Sequence, residues 1–235
     1  MRRRFRLRVR ASRLATYSSF VAETLGGSLT VAAAVLSALA FLFVLFLAPV
    51  GAPSSGLFAV LFFTNVGYSV IALSGASAMV SDLRGSAQVF LSQPLSRTIY
   101  ALAWLVALLA SMIAVFSALL LSLAVIDPGL LGTLSLSIAL AWLLDSALLS
   151  LLLLAAALLL RRTSVLVITW AAVEFGVFLL FFSEQLAQAV VVLRPLYGVL
   201  SHGGAVDTPV LAGSVLLAAA LLALLYWLAR ARLEV

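Results

Sequence analysis

The sequence predicts an all-α membrane protein with six transmembrane helices and both termini in the cytoplasm. Hydrophobic residues make up 65% of the 235 residues and charged residues only 9%, whereas soluble domains are about 45–50% apolar and about 25% charged. The few charges separate long apolar runs: residues 24–81 carry none, which is enough for two helices of about 20 residues each. The six prolines all fall in predicted loops or at helix ends, where a missing N–H is tolerated.

The apolar runs between charges and turn signals define the individual spans. The Pro- and Gly-rich stretch 49–56 separates the first two, and the fourth and fifth each contain one charged residue, Asp145 and Glu174. The predicted spans cover about residues 28–48, 57–80, 98–126, 131–160, 163–183 and 208–229. We expect them to form a single transmembrane domain over 23–235, preceded by a basic interfacial segment over 1–22.

The arginines predict the orientation in the membrane. All 14 basic residues are Arg, and with a cytoplasmic N-terminus every one except Arg194 lies on the cytoplasmic side. Basic residues concentrate in cytoplasmic loops, so a multi-pass protein of the cell membrane is expected in this orientation. Arg194 falls in an external segment, 184–207, that is partly apolar but too short to span. It is expected to form a re-entrant helical pair or an external cap.

The composition excludes several kinds of chemistry. There is no Cys, only one His (His202) and no Lys, so disulfides, thiolate metal sites and P-loop ATP binding are absent from this chain. We therefore expect neither an enzyme nor a bound metal or cofactor. The net charge of +6 reports orientation and predicts no nucleic-acid partner, because phosphate attraction alone would not require six spans.

The N-terminal segment combines arginines with an apolar face. Leu14, Tyr17 and Val21 recur with helical spacing, and Phe20 lies beside them. This pattern predicts a helix lying flat at the membrane surface. The alternative is a solvated flank that binds anionic lipid headgroups.

Residues 81–97 predict a short amphipathic helix between spans 2 and 3. Ser81 is a candidate N-cap, Asp82 favours the first turn, and Pro94 ends the helix. The apolar face comprises Leu83, Ala87, Phe90 and Leu91. Such a helix either packs as a loop on its own bundle or docks into the groove of a partner protein.

This segment resembles the permease subunits of ABC-2 type ATP-binding-cassette transporters. That family places an acidic residue, Gly-Thr or Gly-Ser, and then Leu-Leu-Ser-x-Pro-Val/Leu-Ser-Arg between its second and third spans. The matching positions are Asp82, Gly85, Ser86, Leu91, Ser92, Pro94, Leu95, Ser96 and Arg97. The predicted topology, with its flat N-terminal helix and its external segment between spans 5 and 6, is similar to that family over nearly the whole chain.

The resemblance implies a permease subunit that forms a translocation pathway in the lipid bilayer with a second permease subunit, as a homodimer or a heterodimer. Two separate ATPase subunits would bind ATP-Mg and dock on the cytoplasmic helix. The docking positions implied by the resemblance are Asp82, Leu83, Arg84, Gly85, Ala87, Phe90 and Leu91. Closure of the ATPases would push on the 82–93 helix and switch the spans between inward-facing and outward-facing states.

Two carboxylates lie about half-way along their predicted spans. A charge at that depth costs at least ~2.5 kcal/mol, and the predicted topology places no Arg near Asp145 or Glu174. Each acid is expected to be protonated and bonded to a neighbouring polar group such as Asn65, to face a watery pathway, or to bond across helices. Trp142 and Trp170 precede the two acids by about one helical turn and share their helix faces.

Two other functions stay open at this point. One is a proton-coupled secondary transporter that uses Asp145 and Glu174, and the other is a membrane assembly subunit that transports nothing. The sequence shows no clear repeat and no mid-span proline, which counts against the secondary transporter. The substitution Asp145→Asn is expected to preserve expression and stability.

Overall fold

The described part of the protein is a bundle of α-helices and contains no β-strand. The computed structural model describes residues 15–19, 21, 53–84, 97–126, 128–132, 134–181, 191–196 and 208–232. The prediction of an all-α protein is confirmed for these residues. The predicted span 28–48 lies outside them.

Most helices begin and end near the predicted boundaries. The helices are α1 (Pro53–Arg84), α2 (Arg97–Ile126), α3 (Pro128–Gly132), α4 (Leu136–Leu160), α5 (Thr163–Phe181) and α6 (Thr208–Arg232). α2 and α6 agree with the predicted spans 98–126 and 208–229, and α1 extends beyond 57–80 at both ends. α5 follows the predicted span 163–183 as far as its last described residue.

The prediction that the fourth span begins at residue 131 is wrong. Residues Pro128–Gly132 form the separate short helix α3, and α4 begins at Leu136. Ser135 caps α4, because its hydroxyl accepts a hydrogen bond from the Ile138 amide (3.3 Å). Leucines run through both helices and conceal the break, so the sequence signals are Gly132, which ends a helix readily, and the capping Ser135.

Three of the described helices are long and apolar enough to cross a membrane. They are Arg97–Leu121 in α2, Leu136–Leu160 in α4 and Thr208–Ala231 in α6, with mean hydropathies of 2.5, 2.4 and 2.3. Each is about 36 Å long at a rise of about 1.5 Å per residue, which exceeds the hydrocarbon core of about 30 Å. Thr163–Glu174 in α5 is a shorter apolar helix. These lengths and compositions indicate a membrane-embedded protein.

α4 is the centre of the bundle, and α6 is at its periphery. α4 packs against α1, α2, α5 and α6, and its buried side chains include Trp142, Leu148 and Leu154. On α6, Leu225 is buried, whereas Leu216 on the opposite face is 71% exposed. An exposed apolar face of this kind is compatible with lipid chains around the bundle.

The end of α1 is fixed to the turn between α4 and α5. Nη2 of Arg84 donates a hydrogen bond to the carbonyl oxygen of Arg161 (2.6 Å). Arg161 follows α4 in the left-handed conformation, with φ 51° and ψ 23°, and its N–H donates to the carbonyl oxygen of Ala157 (3.1 Å). These contacts use the backbone of Arg161, so its side chain is not needed for them.

The substitution Arg161→Gly is expected to raise the free energy of unfolding by up to about 1 kcal/mol. Glycine adopts the left-handed conformation without the Cβ clash that other residues suffer, and the carbonyl that binds Arg84 remains. Arg162→Gly is the matched control, because it removes the same charge from a residue of negative φ and is expected to cost a few tenths to about 1 kcal/mol. Thermal unfolding of the purified variants measures both, and equal effects of the two substitutions would contradict the prediction.

Candidate functional site

Four polar side chains meet inside the bundle and form the most heavily charged interior site of the described residues. Asn65 comes from α1, Asp145 from α4, Glu174 from α5, and Arg194 from the segment 191–196. We call this group the Arg194 cluster. Its members are far apart along the chain, and the packing of three helices against one short segment brings them together.

Asp145 is the most deeply buried member, with no exposed surface. Nε of Arg194 donates to both of its carboxylate oxygens, at 3.1 Å to Oδ1 and 3.0 Å to Oδ2. Nδ2 of Asn65 donates a further hydrogen bond to Oδ2 (2.6 Å). Asp145 therefore has a cation and an amide donor on the same carboxylate, which compensates for the water it loses on burial.

The other edge of the guanidinium contacts Glu174 and Asn65. Nη1 of Arg194 donates to Oε1 of Glu174 (2.8 Å), and Nη2 donates to Oδ1 of Asn65. The Arg194 side chain is 4% exposed and that of Glu174 is 17% exposed. One planar guanidinium thus joins α1, α4 and α5, a geometry for which Arg is suited because its N–H donors form a rigid fork.

The charges of the cluster do not cancel. Asp145 and Glu174 carry two carboxylates against the single guanidinium of Arg194, and all other described charged residues lie at or beyond the helix ends. Ionisable groups inside a membrane bundle are costly, pair with one another and mark functional sites by default. The Arg194 cluster is therefore the candidate functional site.

The structure corrects the expectation that no Arg lies near the two carboxylates. The predicted topology places Arg194 outside the membrane, alone on its side, yet Arg194 forms ion pairs with both Asp145 and Glu174. The expected contact between Asn65 and Asp145 is present. The signal for Arg194 was available in the sequence: a lone Arg in an apolar segment needs a partner, and two mid-span carboxylates need a cation.

The segment that carries Arg194 packs closely against α6. The hydroxyl of Ser214 donates to the carbonyl oxygen of Val192 (2.7 Å). Gly213 permits this approach, since a Cβ atom there would lie only 3.3 Å from a methyl group of Val192. Pro195 and Leu196, which follow Arg194, are buried. The position of the guanidinium is therefore set both by the cluster and by α6.

Trp142 and Trp170, which precede the two carboxylates by about one helical turn, differ in burial and in contacts. Trp142 is fully buried and stacks on Phe116, with ring centroids 4.7 Å apart, and it lies 6.3 Å from the ring of Tyr68. The hydroxyl of Tyr68 is itself hydrogen-bonded to Ser150 (2.6 Å). Trp170 is only partly buried and packs against the hydrophobic core. Trp142 and the aromatic rings packed on it thus lie one helical turn before Asp145.

The predicted docking residues lie elsewhere, at the end of α1. Asp82, Leu83 and Arg84 form the last turn of α1, so the prediction that a separate helix starts after Ser81 is wrong. A Ser that can cap a helix can also sit inside one, and α1 simply continues through it. The remaining docking positions, Gly85, Ala87, Phe90 and Leu91, lie outside the described residues.

Asp82 is held by the first turn of α2 and lies near the N-terminal segment. The hydroxyl of Tyr100 donates to Oδ2 of Asp82 (2.7 Å), and the Tyr17 and Tyr100 rings are 5.9 Å apart. Burial, together with the nearby Asp82 carboxylate, raises the pKa of the Tyr17 phenol, which therefore stays neutral. The predicted apolar face of the N-terminal helix is in part turned inward, because Tyr17 and Val21 are buried in the hydrophobic core.

No family model matches the chain, and no curated protein matches it. Among the described residues no group of three or more His, Cys, Asp or Glu side chains is placed to hold a metal ion. The function must therefore be argued from the cluster and from the end of α1.

Proposed function

We propose that this chain is the membrane-spanning permease subunit of an ABC-2 type transporter. In this proposal six spans with cytoplasmic termini form the translocation pathway in the cell membrane, together with a second permease subunit. ATP-Mg is bound by a separate ATPase subunit present in two copies, since this chain has no Lys for a P-loop.

The observation that carries the proposal is the path of α1. This single helix contains Asn65, a member of the Arg194 cluster, and its last turn contains Asp82, where the segment that resembles the ABC-2 docking motif begins. The two residues are about 25 Å apart along the helix axis. A push delivered at Asp82 would therefore reach the buried cluster through one continuous helix.

The contacts at the end of α1 support the same mechanism. Tyr100 holds Asp82 to α2, and Arg84 holds the last turn of α1 to the backbone of Arg161 between α4 and α5. A displacement of this end would thus act on α2, α4 and α5 together. Coupled movement of several helices is what alternation between two access states requires.

Affinity purification tests the partner directly. The tagged chain, extracted in mild detergent from its own cells, is expected to recover an ATPase subunit, and Phe90→Asp is expected to abolish that recovery, because a buried carboxylate in a docking surface costs several kcal/mol. Thr208→Asp, which adds a charge to the exposed start of α6, is the control and is expected to leave recovery unchanged. Failure to recover any ATPase, with Phe90→Asp identical to the unaltered chain, would sink the proposal.

One observation favours a second candidate, a proton-coupled secondary transporter. The Arg194 cluster has one carboxylate more than it has guanidinium groups, and spare intramembrane carboxylates serve as proton carriers in pumps and transporters. Transport by the purified chain in vesicles without any ATPase, driven by a pH gradient and lost in Glu174→Gln, would favour this candidate over the permease. ATP-dependent transport that persists in Glu174→Gln would exclude it.

A further inference from the structure

The acceptors around Arg194 form a cation site that is complete without Arg194 itself. Carboxylate oxygens of Asp145 and Glu174 and the carbonyl oxygen of Asn65 converge from α4, α5 and α1. All of them are hydrogen-bond acceptors, and together they carry two negative charges. Three packed helices thus preorganise a site for a planar cation with several N–H donors.

The cation that fills this site belongs to none of the three helices. Arg194 is non-helical and lies between the helical residues 191–193 and 195–196. Its guanidinium makes four hydrogen bonds to the three acceptor side chains, while its backbone segment is attached to α6 through Ser214. Arg194 therefore occupies the site in the manner of a ligand on a tether.

We propose that Asn65, Asp145 and Glu174 form a binding site for ligands that carry a guanidinium group, and that Arg194 fills this site when no ligand is bound. Such a ligand reproduces the charge and the donor geometry of Arg194 and so competes with it. Glu174 is the most exposed member of the cluster, which places the entrance on its side. The idea that the bound ligand is a transported substrate rests on the proposed transport function. The idea that the site binds guanidinium groups does not.

Chemical complementation in a variant tests the acceptors. Arg194→Ala removes the tethered cation, and methylguanidinium at millimolar concentration is expected to raise its melting temperature in a saturable manner. Urea has a similar shape without the charge and is the matched control, and sodium chloride controls for ionic strength. Adding Asp145→Asn is expected to weaken the effect of methylguanidinium by about tenfold or more, because a charge-assisted hydrogen-bond pair is lost.

Competition in the protein with Arg194 intact provides the second measurement and needs no destabilised variant. The chain contains no Cys, so Leu196→Cys introduces a single thiol at a position that is 2% exposed. Methylguanidinium is expected to raise the rate of labelling by a water-soluble maleimide several-fold, because displacement of Arg194 releases its segment. Urea and methylammonium at the same concentration are expected to raise it much less.

The two measurements decide the proposal together. A saturable increase of the labelling rate with methylguanidinium that urea does not reproduce supports the site, and in Arg194→Ala a saturable rise of the melting temperature that Asp145→Asn weakens adds to that support. Equal effects of methylguanidinium and urea, or a labelling rate that methylguanidinium does not change, overturn it even if Arg194→Ala fails to fold. Neither measurement uses an ATPase or transport, so this site and the proposed function can each fail separately.

Discussion

Arg194→Gln is expected to lower the free energy of unfolding by about 3–5 kcal/mol, the cost of removing one partner from a buried ion pair. The substitution leaves the carboxylates of Asp145 and Glu174 without the cation that both of them contact. Asp145→Asn is expected to cost less, about 1–2 kcal/mol, because the guanidinium keeps Glu174 and the cluster becomes neutral. The expectation from the sequence is that Asp145→Asn preserves stability, and the ion pair between Asp145 and Arg194 revises it to this moderate loss.

Thermal unfolding of the detergent-purified variants gives the order of these effects. The double variant Arg194→Gln/Asp145→Asn should lose about 1–3 kcal/mol less unfolding free energy than the sum of the two single-variant losses. The reason is that the second substitution removes an uncompensated charge. Arg230→Gln is the control: Arg230 is exposed and lies over the ring of Tyr226 at 5.3 Å, a contact worth about 0.5–1 kcal/mol. A larger loss for Asp145→Asn than for Arg194→Gln would show that Arg194 is not the group that compensates the two buried carboxylates.

The helix boundaries were predictable where charges or caps mark them. Arg97 is the first residue of α2 and the Arg161–Arg162 pair separates α4 from α5, so both boundaries follow from the charge pattern. The break between α3 and α4 was missed, because the leucines on both sides fit either a helix interior or its ends. The last turn of α1 was missed for a related reason: Ser81 has the chemistry of a cap but lies within a helix already formed.

The members of the site that lie on helices could be predicted from the sequence, whereas its cation, Arg194, could not. Asn65 and Asp145 stand out as polar residues in apolar spans, and their contact follows from the cost of leaving either unpaired. Arg194 lies in a segment that topology assigns to the outside, and Nη2 reaches Asn65 across 129 positions of sequence. Local sequence periodicity cannot predict such a long-range contact. Only the need to balance the two carboxylates inside the membrane indicates that Arg194 is their partner.

The segment that carries Arg194 can be locked to α6 by a disulfide. A Cβ atom at position 213 would lie 4.0 Å from the Cβ of Val192, within the range of about 3.5–4.5 Å found in disulfides. The pair Val192→Cys/Gly213→Cys is therefore expected to cross-link, and the closed loop of about 20 residues is expected to stabilise the protein by about 3 kcal/mol. Replacement of Val192 also removes the methyl groups that a side chain at position 213 would otherwise meet.

The unfolding temperature under oxidising and reducing conditions measures this effect without interference, because the chain has no other Cys. Each single cysteine variant, and the mismatched pair Val192→Cys/Leu217→Cys one turn further along α6, should show no redox-dependent shift. Spontaneous oxidation in intact cells would in addition place this segment on the oxidising, external side of the membrane, as the proposed orientation requires. If the pair stays reduced even with an added oxidant, then Val192 does not pack on Gly213, and the attachment of the Arg194 segment to α6 is wrong. If it oxidises and also prevents methylguanidinium from entering the Arg194 cluster, then departure of this segment is the step that opens the site.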